Sequence, residues 1–145
     1  MTPEGLEVRR LIYEHEKKAE FHAMQLNAEY GKWLIASLLL LHGAALAFLA
    51  QNDRLAAEVL PHVFWWFVIG LLAALVCGFM VWINWTLHAV VHGTATAHMI
   101  YDDAYWPKFE GKAYDWIAPT HWLAIGFGLV SAGCLLGAAI TMAPV

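Results

Sequence analysis

Apolar and charged positions along this chain fall into long blocks rather than alternating. No Asp, Glu, Lys or Arg occurs from Trp33 to Ala50, from His62 to Tyr101, or from Trp116 to the C-terminus. Uncharged apolar runs of roughly 18–25 residues suit a hydrocarbon core ~30 Å thick. The pattern predicts an all-α integral membrane protein with three transmembrane helices, at 33–50, 63–83 and 117–142. Residues 1–32 are charged, and neither Pro nor Gly interrupts Leu6–Tyr30. Glu14 and Lys18 stand four apart in the favourable order. This segment predicts a cytoplasmic amphipathic helix continuous with the first span. Its stripe of Val8, Leu11, Ile12, His15, Ala19, His22, Leu26 and Trp33 is the expected packing face, against a cytoplasmic extension of the second span over 84–92. The rest of 84–116 reads as an aromatic loop, broken by Pro107 and Gly111. The whole of 1–145 is expected to form one membrane domain, without internal repeats.

Composition strengthens this picture. The chain is 61% hydrophobic and 14% charged, with eight Trp. Trp concentrates at membrane–water interfaces. Trp65 and Trp66 open the second span, and Trp82 and Trp85 close it. Trp65 to Trp82 spans ~25 Å of helix, a fitting distance between interfaces. Arg9, Arg10, Lys17, Lys18 and Lys32 precede the first span, Lys108 and Lys112 follow the second, and only Arg54 lies in the first loop. The positive-inside rule puts the N-terminus in the cytoplasm and the C-terminus in the periplasm. The first span begins behind a long charged segment and reads as an uncleaved anchor rather than a signal peptide. A net charge of −4 offers no basic surface to nucleic acid. The expected surroundings are the lipid bilayer and either another membrane protein or a second copy.

All three spans carry small residues at helical spacing: Gly43 and Ala47 in the first, Gly70, Ala74 and Gly78 in the second, and Gly126, Gly133 and Gly137 in the third, with Thr141 on the same face. Such stripes let helix backbones approach closely. They serve either packing within the chain, which each helix needs in any case, or self-association.

Histidine is the main source of chemistry, with eight residues. If the N-terminal helix packs on the extension of the second span, His22, His88, His92 and Glu29 fall at comparable depths, ~6–16 Å below the inner interface. An i,i+4 histidine pair with a carboxylate is a ligand set for a transition metal. Ordinary interface packing competes with that reading. No HExxH, CxxC or paired ExxH motif accompanies these residues. His42 lies ~14 Å from the inner end of its span, near mid-bilayer. An ionisable group there marks a functional candidate, as a haem ligand, proton relay or quinone contact. The plainer reading is an imidazole bonded across the bundle to Ser131. Cys77 and Cys134 enter from opposite sides at depths ~10 Å apart, too far for a disulfide within one chain.

Tyr30-Gly31-Lys32-Trp33-Leu34-Ile35, Leu41-His42-Gly43, Trp65-Trp66-Phe67-Val68 and Asn84-Trp85 resemble segments of small, uncharacterised three-span inner-membrane proteins of bacteria. The resemblance implies a bacterial inner membrane and transfers neither activity nor site residues. The expected role is a non-enzymatic accessory or structural subunit working through helix contacts. A haem- or metal-binding redox subunit, using His42 or the His22/His88/His92 group, and a holin-like pore former are the alternatives.

Overall fold

One helix, α1, runs unbroken from Pro3 to Gln51 through both the charged arm and the first apolar block. Nothing in its sequence stops it, since Pro3 sits in the first turn and the interior glycines are single. The computed structural model describes residues 3–142, with the side chains at 27, 28, 31, 34 and 35 excepted. The chain leaves α1 at Asn52, whose side chain caps the short helix α2 (Asp53–Glu58) by accepting from the Leu55 amide at 3.3 Å. Helix α3 (Leu60–Gly93) follows, with Pro61 in its first turn. Two 3-10 turns, Ala97–Ile100 and Asp103–Tyr105, then lead to α4 (Lys112–Asp115) and α5 (Ile117–Met142). Gly111, at φ 105°, adopts a backbone conformation that side chains disfavour and so permits the turn into α4.

Every regular element among the described residues is helical. Among the described residues, two helices are long and apolar enough to cross a membrane, Leu60–Gly93 and Lys112–Met142, the second counted through the turn at Trp116. A shorter apolar stretch, Ala36–Gln51, closes α1. Only 33% and 22% of the two long apolar windows are buried, unlike a mostly buried core helix of a soluble protein. Their outward faces carry Trp65, Leu72, Phe79, Trp122, Leu129 and Ile140.

Helix α3 is central. Helices α1 and α5 each pack along it, antiparallel, and these are the two extensive interfaces of the fold. The seam of α3 is built from small residues, with Gly70, Ala73, Ala74, Cys77 and Gly78 all buried. On α5 the buried face is Thr120, Ala124, Ser131, Cys134 and Ala138. That face differs from the expected glycine stripe. Gly137 packs on the Trp66 ring, where an added Cβ would stand 3.0 Å from ring carbons, whereas Gly126 and Gly133 meet open space. Where the C-terminal part of α1, the start of α3 and the end of α5 meet, Leu49, Val63, Phe67 and Ala138 form a buried apolar cluster.

The arm of α1 packs on the C-terminal part of α3, but through a face that only partly overlaps the expected one. Glu16 and Ala23 are buried, and Ile12, Ala19 and Leu26 are half-buried. Val8, Leu11, His15, His22 and Trp33 are exposed. The rotation follows from polar anchors that an apolar stripe does not register. Glu16 bonds His92 at 2.8 Å. Gly93 lets Glu20 approach closely, its absent Cβ lying 3.2 Å from the Glu20 carboxylate. Arg9 bonds the Met99 carbonyl at 3.3 Å, pairs with Asp103 and covers the Trp106 ring. Met99 is wholly buried beneath it.

Candidate functional site

Two clusters gather the chemistry of the chain. The first is at Gly70, in the middle of the α3 seam. His42 reaches it from α1 and Cys134 from α5: an ideal Cβ on Gly70 would lie 2.3 Å from His42 Nε2 and 3.0 Å from Cys134 Cβ. The missing side chain is thus what admits the imidazole. His42 is fully buried and meets Phe67 edge-on, with centroids 6.3 Å apart. Its Nδ1 lies 2.9 Å from the Leu38 carbonyl. A carbonyl only accepts, so Nδ1 carries the proton and Nε2 the lone pair.

The bond expected between His42 and Ser131 is not made. His42 Nε2 and Ser131 Oγ are both buried without a hydrogen-bond partner. An orphaned buried polar atom costs roughly 1–3 kcal/mol, so this node is held against an energetic penalty. The imidazole satisfies itself within its own helix because the carbonyl one turn back is in reach. Nε2 faces the Gly70 backbone and Cys134, so a haem iron has no approach to it unless α1 parts from α3. Cys77 and Cys134 are free, as the depth difference requires. Cys77 also donates its thiol to the Ala124 carbonyl at 3.1 Å.

The second cluster lies where α3 extends beyond 63–83. His88 and His92, one turn apart, hold their rings 13° from parallel with centroids 6.3 Å apart. Trp85 continues this ladder above His88 at 5.4 Å, and Phe109 meets His92 at 6.2 Å. Glu16 fixes the His92 tautomer, since its carboxylate accepts from Nδ1–H and leaves the other nitrogen free. Burial first, then the neighbouring His92 and His121, hold the His88 pKa below the ordinary 6.5, so His88 is neutral at pH 7. Alongside is a cavity of about 460 Å³, bounded by α3, Phe109, α4 and the start of α5.

The structure brings His88 and His92 together but does not bring His22 and Glu29 to them. His22 and Glu29 are exposed on α1, and Glu16 is the carboxylate at His92. The reason is the rotated face of the arm described above. Among the described residues, no group of three or more His, Cys, Asp and Glu is placed to hold a metal ion.

A polar clamp absent from the sequence reading joins α3 to α5. The Asn84 amide donates to the Ile117 carbonyl at 2.7 Å and to Thr120 Oγ1 at 2.9 Å. Thr120 Oγ1 in turn lies 2.7 Å from the Trp116 carbonyl. Its sequence signal is an amide directly after an apolar run, opposite a threonine in the next one.

Comparison with family models, curated proteins and solved structures finds no match to this chain.

Proposed function

We propose that this chain is a three-span protein of a bacterial inner membrane, serving as an accessory or structural subunit through helix contacts. Its N-terminus is cytoplasmic and its C-terminus periplasmic, following the bias of Lys and Arg. The observation that carries the role is the division of its glycines. Gly70 and Gly137 are occupied by contacts inside the chain, while Gly43, Gly126 and Gly133 have nothing within 4 Å of a built Cβ. Small residues on a membrane helix favour close approach of another backbone. Gly126 lines a shallow groove on α5 with Trp122, Leu123, Phe127 and Val130. Helices α1 and α5 each pack on α3 mainly by one face, which leaves their outer faces to meet other helices.

The test is the size of the complex released from native membranes by mild detergent. Wild-type protein is expected in an assembly larger than its monomer. Gly126→Leu combined with Gly133→Leu is expected to release the monomer without changing its thermal unfolding. A wild-type protein that is already monomeric in cross-linked native membranes would overturn the proposal.

A further inference from the structure

The cavity beside the histidine ladder has a composition that specifies a ligand class. Its wall is largely apolar, with Val91, Phe109, Ile117 and Ala118 among its lining residues. Three polar side chains line it with no hydrogen bond to other described residues: the half-buried His88, and Tyr114 and Asp115, which are open to solvent. His92, also in the wall, is already turned by Glu16. An apolar cleft of a few hundred cubic ångströms with a few convergent polar groups is the usual form of a small-molecule site.

The chemistry narrows the occupant. No Lys or Arg lines the cavity, and Asp115 repels anions, so phosphates and carboxylates are excluded. The His88 ring and the Tyr114 hydroxyl can each donate a hydrogen bond, which suits acceptor oxygens. Asp115 accepts, which suits a hydroxyl on the same ligand. His88, His92 and Phe109 line it, with Trp85 against His88, offering aromatic surface to a flat ring. On the proposed topology the cavity lies within a turn or two of Trp85, at the inner interface, where a molecule dissolved in lipid enters sideways.

We propose that this cavity binds the head of a lipid-soluble quinone, with His88 and Tyr114 donating to a ring carbonyl and Asp115 receiving the hydroxyl of the reduced form. The site needs no metal and is separate from the buried His42. It does not depend on the subunit role proposed above.

The probe is a short-tailed benzoquinone, titrated into full-length protein in lipid nanodiscs and followed by tryptophan fluorescence, since Trp85 adjoins the site. Saturable quenching at one quinone per chain is expected. Tyr114→Phe and His88→Leu should each weaken the dissociation constant about tenfold, the scale of one hydrogen bond. Ala118→Trp should abolish saturation by filling the cavity. Phe48→Ala, far from the site, should leave the titration unchanged. All variants are compared at equal helicity and unfolding temperature, and Tyr114→Phe keeps the test valid if His88→Leu fails to fold. Linear quenching that is identical in wild type and variants would mean partition into lipid alone and would overturn the proposal. So would saturable binding of an alkylammonium in place of the quinone, lost on Asp115→Asn, which would mark a cation cage instead.

Discussion

At the scale of single residues, the middle of this molecule turns on one missing side chain. Gly70 is where α1 and α5 both reach the seam of α3, and its Cα occupies the space beside His42 Nε2. Gly70→Ala would set a methyl group 2.3 Å from that nitrogen. The imidazole tip cannot swing aside freely, because it is fully buried and its Nδ1 is tied to Leu38. Overpacking of this kind costs about 1–3 kcal/mol. We expect Gly70→Ala to lower stability by that amount in detergent, while Gly43→Ala, facing open space, changes it little. Adding His42→Ala to Gly70→Ala should recover part of the loss, so that the pair is strongly non-additive. If Gly70→Ala proves as silent as Gly43→Ala, the imidazole does not lie where we place it. His42 itself was legible in the sequence, as an ionisable group deep in an apolar run. Its partner was not, because a histidine in a helix has a carbonyl one turn back within reach, and spacing along the chain cannot weigh that bond against one to Ser131.

At the scale of elements, apolar blocks located the helices well, and faces less well. The block over 117–142 coincides with α5, and the predicted extension of the second span ends one residue short of Gly93. A charge-free run marks length without needing to know what lies beside it. Which side of α1 meets α3 depends instead on Glu16, Glu20 and Arg9, charged residues that a search for apolar stripes sets on the outside. The same polar junction gives the extension of α3 a pH dependence. His88 is harder to protonate in the fold than in the unfolded chain, so acid favours unfolding through this group. Its contribution is unaltered above the ordinary value of 6.5, declines as pH falls from there toward the lowered value, and levels off below it. Protection factors of the amides over 84–93, corrected for intrinsic exchange, should therefore fall between neutral and mildly acidic pH, and His88→Leu should flatten that response. An unchanged slope in the variant would assign the acid sensitivity to other groups.

At the scale of the whole molecule, helix lengths and pairings constrain the topology independently of charge. Helix α1 has 49 residues and α3 has 34, roughly 74 and 51 Å at 1.5 Å per residue. Both exceed a hydrocarbon core of ~30 Å, so either helix, on crossing such a core, must project from it. The bond between Glu16 and His92 joins the N-terminal part of α1 to the C-terminal end of α3, so the two projections lie on one side. That side also holds Arg9, Lys17, Lys108 and Lys112, whereas α2 with Arg54 lies at the opposite end of the pair. Single reporter cysteines make the arrangement testable, because the native Cys77 and Cys134 are buried and poorly placed to react with a membrane-impermeant maleimide. In intact spheroplasts His15→Cys should resist labelling until the membrane is opened, while Ala57→Cys, exposed in α2, should label at once. Labelling of both before opening, or of neither, would place α2 on the same side as the arm. Because α2 leads into the start of α3 and the arm is bonded to its far end, neither α3 nor the α1 packed along it would then cross the membrane, and the three-span reading would fail. Opposite labelling requires α1 to cross, so that one continuous helix links the periplasmic end of the bundle to the histidine ladder at its other end.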